Sequence, residues 1–268
     1  MINAALCAFE APKFLFFSSN VPTLLYFSHF PALFFSLAFA SYVLMRSRGR
    51  LEAYILFLSL LPFSLWVFSD LVLFATNRSD LVLFLWSLLV LIEPLPHFGL
   101  WYLQRVMVTG KDISFRLKLL VLALFLPLFA IIGSGIGLPG FDLSVCIAVE
   151  ATYLHYAYVL EFFFIFLILV DAIRYAHTAT DKQTRRKILY LGGTIILFLL
   201  VFSTGNLIGS LTDNWVVAQA GLFGSPIFIG LMAYLLVRFR LFDIKVLGAQ
   251  MLVIVLWGTV FMLFFLRS

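Results

Sequence analysis

LEAYILFLSLLPFSLWVFSDLVLFA (51–75), TNRSD (76–80) and LVLFLWSLLVLIEPLPHFGLWYLQR (81–105) follow one another, and their reading decides the fold. Each long run exceeds the roughly 20 mostly apolar residues that an α-helix needs to cross the hydrocarbon core of a bilayer. The short polar break between them reads as a turn at the membrane surface. Comparable runs fall at 21–45, 117–137, 153–174, 188–211 and 215–237, and an eighth covers 246–266. The breaks between them are RSRGR (46–50), TGKDIS (109–114), HTATDKQTRRK (177–187), TDN (212–214) and RFRLFDIK (238–245). The expected fold class is all-α, a polytopic transmembrane helix bundle of seven helices plus an eighth. Residues 1–20 form a short extracytoplasmic N-terminus, 21–245 the seven-helix transmembrane domain, and 246–268 the eighth helix, leading to a further C-terminal part. Only the connection over 138–152 is long enough for a small structured loop. No repeat or low-complexity linker is evident.

Composition agrees. Of 268 residues, 63% are apolar, 12% are charged and 32 are phenylalanine. A soluble domain carries roughly 25% charged residues. The net charge of +5 does not indicate nucleic acid, because the basic residues sit in loops between apolar runs. Arg46, Arg48 and Arg50 follow the first run. Arg105, Lys111, Arg116 and Lys118 flank the loop after the third, and Arg174, Lys182, Arg185, Arg186 and Lys187 the loop after the fifth. Arg238, Arg240 and Lys245 follow the seventh. These loops alternate, and of the 18 basic residues only Lys13, Arg78 and Arg267 lie elsewhere. The positive-inside rule then places the N-terminus outside and Lys245 on the cytoplasmic side, as expected of a multi-pass protein of the cell's inner (plasma) membrane. The eighth helix ends outside, so the chain is either a complete outward-ending protein or, the favoured expectation, a piece of a longer one whose next segment crosses back. Residues 1–20 lack a basic start and a small-residue cleavage site, so the first apolar run serves as its own insertion signal. Cys7 and Cys146 have no metal-binding spacing. They are assigned no role, and their pairing is left open.

Ionisable groups in the middle of a span cost about 2.5–3.5 kcal/mol each on insertion scales, so each needs a reason. Glu93 lies near the middle of the third run and Glu161 near the middle of the fifth. Both are expected to be neutral or paired with donors. Glu93-Pro94-Leu95-Pro96-His97 should kink the third helix, because two prolines remove two backbone donors. Asp171, three residues before Arg174, reads as one partner of an ion pair at the surface. Asp70, His155, Ser203, Thr204, Asn206 and Gln219, together with His29, fall in the outer halves of their runs. They are candidates, with Glu93, His97 and Glu161, for a ligand pocket open to the exterior. The alternative is hydrogen bonding between helices. Gly133 with Gly137, and Gly205 with Gly209, have the spacing that lets helices approach closely, and Gly224-Ser225-Pro226 should bend the seventh helix.

Catalytic and cofactor signatures are missing. There is no HExxH, GxSxG or GxxxxGK[ST] motif, and no lysine in the seventh run for a retinal Schiff base. No catalytic residue, metal site or cofactor is assigned. The expected partners are membrane lipid, a small hydrophobic or peptide ligand, and a second copy of the chain, with no nucleic acid.

AYLLVRFRLFDIKV (233–246) resembles the segment that closes the N-terminal seven-transmembrane sensor region of bacterial membrane histidine kinases. There the last helix runs into an arginine-rich turn followed by Leu-Phe-Asp-Ile. TRRKILYLGG (184–193) is similar to the family's basic entrance to its sixth helix, and STGNLIG (203–209) to its polar Thr/Asn stretch. LEAYILFLSLLPFSLWVFSD (51–70), with Trp66, is similar to its second helix. The resemblance spans about 21–245. It implies the signal-input region of a two-component histidine kinase, with Arg238, Arg240, Asp243 and Lys245 as the rim segment that couples signal to output. No dimerisation-phosphoacceptor helix or ATP-binding domain is present in these 268 residues, so the chain itself reads as non-enzymatic. A small secondary transporter or channel, and an integral membrane lipid enzyme, are the other readings.

Overall fold

The computed structural model describes residues 6–8, 10–12, 14–47, 49–212 and 214–239. The eighth apolar run and the rim residues Arg240, Asp243 and Lys245 lie outside the described residues. Among the described residues, seven helical stretches are long and apolar enough to cross a membrane. The chain is an all-α, multi-pass membrane bundle.

The first two spans are α1 (Thr23–Arg46) and α2 (Leu51–Ala75). The third consists of α3 (Ser79–Ile92) and α4 (Pro94–Thr109). Next come α5 (Phe115–Ser134), α6 (Tyr156–Thr178) and α7 (Lys182–Thr212). A single turn, α8 (Trp215–Ala218), leads through a 3-10 turn over Gln219–Phe223 into α9 (Gly224–Arg238), which completes the seventh span. The basic segment before the sixth apolar run is helical from Lys182 rather than loop. Lys, Gln and Arg are good helix formers, and their long stems reach along the helix to polar surroundings.

Several sequence expectations change in detail. The third helix is interrupted for one residue only: Glu93 keeps helical angles (φ −59°, ψ −43°), and Pro94 opens α4 at a position where a missing N–H is tolerated. Gly224-Ser225-Pro226 stands where the seventh span changes from the 3-10 turn to α9. The irregularity lies before it. Gly137 is beyond the end of α5, which Gly135 closes at φ 70°, so Gly133 and Gly137 make no helix-packing pair. Gly205 and Gly209 do permit a close approach. A Cβ on them would come within 2.6 Å of the Ala218 carbonyl oxygen and 2.8 Å of the Ala218 methyl, respectively.

Helix neighbours form a closed ring in the order α1, α2, α4, α6, α7, α9 and back to α1. α5 lies outside this ring against α3 and α6. It leaves Leu119, Leu122, Leu126 and Phe129 exposed, which suits a face turned to lipid. At mid-depth the ring is filled by Phe63, Phe198, Phe202 and Phe228. Phe63 stands edge-on to Phe198 and Phe202, with ring centres at 5.2 and 5.4 Å, and Phe198 stacks on Phe228 at 4.4 Å. Toward the ends of the helices that carry the basic loops, the backbones close up. A Cβ on Gly99 of α4 would overlap Ser59 of α2, and one on Gly192 of α7 would lie 2.8 Å from the Ala172 methyl of α6.

The opposite end is covered. Between α5 and α6 the chain makes a hairpin of β1 (Gly140–Asp142) and β2 (Ile147–Val149). The Asp142 carboxylate accepts from the Ser144 hydroxyl and amide, which fixes the turn and holds that carboxyl below its usual range. Cys146 in this hairpin is disulfide-bonded to Cys7 across 139 residues of chain. The Cys7 amide donates to the Asn77 carbonyl at 2.8 Å, so the N-terminal segment is tied to the α2–α3 turn as well. The two cysteines thus have a role that their spacing did not reveal. A disulfide across so long a separation depends on which loops share one end of the bundle.

Candidate functional site

A partly open cavity of about 210 Å³ lies at the hairpin end, between α2, α3, α6, α7 and the start of the seventh span. Its wall is rich in large aromatic side chains. Trp66 of α2, Trp86 of α3 and Trp215 of α8 all contribute indoles, and Trp86 meets Trp215 edge-on at 4.9 Å. The hairpin residues Val145, Cys146, Ile147 and Glu150 complete the wall.

Asp70, Glu93, Asn206 and Gln219, four of the candidates read from the sequence, line this cavity together. Asp70 is positioned by His29 of α1, whose Nε2 lies 2.8 Å from Oδ2. The other imidazole nitrogen, Nδ1, is 2.8 Å from the Leu25 carbonyl oxygen. Glu93 sits at the α3–α4 break, and its Oε1 accepts from the Asn206 side-chain amide. Gln219 is 2% exposed, and its Oε1 has no hydrogen-bond partner among the described residues. The Trp66 indole N–H is likewise buried without an acceptor.

Three other candidates form a separate buried group below the cavity. His97 Nε2 is 2.8 Å from the Ser203 hydroxyl and 3.7 Å from Glu161 Oε2, and its Nδ1 is 3.2 Å from the Glu93 carbonyl oxygen. All three side chains are fully buried. Neither carboxylate oxygen of Glu161 has a hydrogen-bond partner among the described residues. These groups do not line the cavity; they lie behind its floor. His155 also stands off the wall, 3.3 Å from the Ser210 hydroxyl. Thr204 is not a pocket residue. It is exposed, and its hydroxyl donates back to the Leu200 carbonyl at 2.5 Å, as Thr on a lipid-facing helix surface does.

Glu150, which the sequence reading passed over, holds a central place. Trp86 Nε1 donates to Oε1 at 2.7 Å and the Ser210 hydroxyl to Oε2 at 2.5 Å. Its sequence signal was only an acidic residue at the end of the one long connection. The wall therefore presents three carboxyl groups, those of Asp70, Glu93 and Glu150, and neither lysine nor arginine.

At the other end, Asp171 does not make the local pair expected with Arg174 but pairs with Arg105 of the third span, Oδ2 to Nε at 3.3 Å, and accepts from Trp101 Nε1 at 3.0 Å. The rim residue Arg238 lies with Lys182, Arg186, Tyr190 and Tyr234 around a second hollow between α7 and α9. Among the described residues no group of three His, Cys, Asp or Glu side chains could hold a metal ion. Set against protein-family models, curated proteins and solved structures, the chain matches none.

Proposed function

We propose that this chain is the membrane-embedded signal-input region of a bacterial two-component histidine kinase. The ligand enters the cavity at the hairpin end, and the rim around Arg238 carries the response. The observation that carries this reading is the division of labour along the bundle: a lined cavity at one end, an aromatic layer beneath it, and a basic rim at the other. The FRLFDI segment after the seventh span supports the family. The N-terminus and hairpin lie outside the cytoplasm in this reading. The alternating basic loops support that orientation. So does the Cys7–Cys146 disulfide at the opposite end, since disulfides persist in oxidising compartments. Binding shifts the population of two packings of the ring, and the rim differs between them.

The test is a chimera in which residues 1–245 replace the membrane region of a histidine kinase whose phosphorylation can be assayed. Alanine at Asp70, Glu93 and Asn206 should abolish the response to an added signal while the protein still inserts. A response that survives all three substitutions would overturn the reading.

A second reading, a secondary transporter, is favoured by one observation. Glu161 and His97 are fully buried beneath the cavity, next to an interrupted helix, as in transporters that carry protons or ions with substrate. Proton-coupled flux in proteoliposomes that is lost in Glu161→Gln would select it.

A further inference from the structure

We infer that the cavity at the hairpin end takes a small organic cation, an ammonium compound with an apolar body and a hydrogen-bonding tail. The inference rests on the cavity being a ligand site, as proposed above, and assigns the chemistry of its occupant.

Three features of the wall converge. Charge comes first: Asp70, Glu93 and Glu150 line the space, and no lysine or arginine does. An anionic occupant would find carboxyl groups and no basic side chain to pair with. The aromatic faces come second. Trp66, Trp86 and Trp215 stand around the same space, with Trp86 and Trp215 perpendicular at 4.9 Å. Indole faces attract ammonium groups, and carboxylates beside aromatic rings are the usual recipe for binding them. A bare metal ion fits less well, because no cluster of three ligating side chains occurs among the described residues.

The third feature is an unmet need. Gln219 is 2% exposed, lines the cavity and has an Oε1 with no donor among the described residues. Trp66 is 5% exposed, lines the same cavity and has an indole N–H with no acceptor among the described residues. Buried polar groups without partners are uncommon. Both atoms are shut off from the cavity as it stands, so an occupant bearing an N–H or O–H donor and an oxygen acceptor answers them only when these side chains turn toward it. The cavity volume of about 210 Å³ is below the roughly 300–1,000 Å³ of sites for drug-sized molecules, so the occupant is small.

The full chain in lipid nanodiscs tests this directly. Choline, tetramethylammonium and n-butylammonium would each be titrated against an uncharged isostere, 3,3-dimethylbutan-1-ol for choline. Tryptophan fluorescence and calorimetry are the readouts. At least one cation should bind saturably and about tenfold or more tighter than its neutral counterpart. Glu150→Gln, which keeps an acceptor for Trp86, and Trp215→Phe, at the half-buried edge of the wall, should each weaken that binding. Unchanged circular dichroism would show that both variants fold. Neutral isosteres binding as well as the cations, no binding by any of the three cations, or binding indifferent to both variants would overturn the inference. A cation that binds but leaves the phosphorylation of the chimera unchanged removes the sensor reading and keeps the inference. A chimera that responds to a signal while none of the cations binds does the reverse.

Discussion

The two halves of this bundle handle polar side chains in opposite ways. From mid-depth toward the basic loops, most are consumed locally. Ser36 pairs with Ser64 at 2.9 Å, Ser59 donates to the Ile55 carbonyl at 2.6 Å, and Gln104 Nε2 donates to the Ile168 carbonyl at 3.0 Å. Asp171 takes both Trp101 and Arg105. Toward the hairpin, Asp70, Glu93, Glu150, Asn206 and Gln219 surround a shared space. Polarity does not separate the halves; the shared space does. Gly99 against Ser59 and Gly192 against Ala172 bring helices together in the basic half. In the hairpin half Gly205 and Gly209 bring α7 against Ala218, and three indoles line the space beside that contact. Small residues at a helix contact permit close packing and leave no room for an occupant.

The aromatic layer is the boundary between these regimes, and it offers the largest effect. Phe63 is fully buried against Phe198 and Phe202. Phe63→Ala should lower stability by about 3–5 kcal/mol, the usual range for a buried Phe removed to Ala. The expected readout is the largest drop in thermal midpoint of any single change, measured in detergent micelles, with cation binding lost at the same time. A variant that lost binding but kept its midpoint would mean that the layer serves the cavity alone and does not divide the bundle.

Next in size is the covalent tie. Cys7→Ser, or reduction with dithiothreitol, opens a loop spanning a sequence separation of 139 residues. Disulfides typically contribute about 2–4 kcal/mol. The loss should appear as a lower midpoint and as faster proteolysis of the hairpin, while the basic loops stay protected. Equal exposure at both ends would break the comparison.

Seven spans were legible because crossing a bilayer demands long apolar runs, and the alternation of basic loops gave an independent count. The pocket was legible in part. Depth along each run brought Asp70, Glu93, Asn206 and Gln219 to one end, and the structure gathers them. Depth says nothing about rotation, however. Thr204 sits at the same level as Ser203 and Asn206 but faces outward, because on a helix it lies about 100° from its neighbour. Glu150 was missed because it belongs to a connection rather than a span, and hydropathy is silent there. The disulfide and the indole walls depend on three-dimensional proximity that no spacing encodes.

A smaller effect separates two glutamines. In both, Oε1 is buried with no partner among the described residues, but Gln104 donates from Nε2 to the Ile168 carbonyl whereas Gln219 lines the cavity. Gln104→Leu loses that hydrogen bond and also removes an unpartnered acceptor, so it should lower stability by less than about 1 kcal/mol, the net value of a typical hydrogen bond. Gln219→Leu should leave it level or raise it by up to about 1 kcal/mol, since an unpartnered buried acceptor is removed. Only the second should weaken cation binding. If both destabilise equally, the hairpin half is packed like the basic half and the cavity holds no unmet acceptor.

The smallest effect belongs to the surface at the basic end. Asp112, between the third span and α5, accepts from Lys118 Nζ at 2.7 Å and from the Tyr102 hydroxyl. These hydrogen bonds, that of Lys118 foremost, hold its carboxyl below the usual range. A carboxyl group depressed in the folded state adds stability at pH values above its unfolded pKa, and that contribution fades as pH falls through the lower folded value. Both side chains are 40% or more exposed, so water and salt screen most of the contribution. Asp112→Asn should therefore leave the midpoint unchanged within error at pH 7. Any small difference from the parent should vanish once the pH falls well below about 3.9, the ordinary aspartate value. The loss from opening the disulfide involves no proton and should persist across the same pH range. A midpoint drop in Asp112→Asn as large as that of Cys7→Ser would mean that the basic-end turn holds the bundle as firmly as the hairpin does. The asymmetry between the two ends would then lie in the cavity alone.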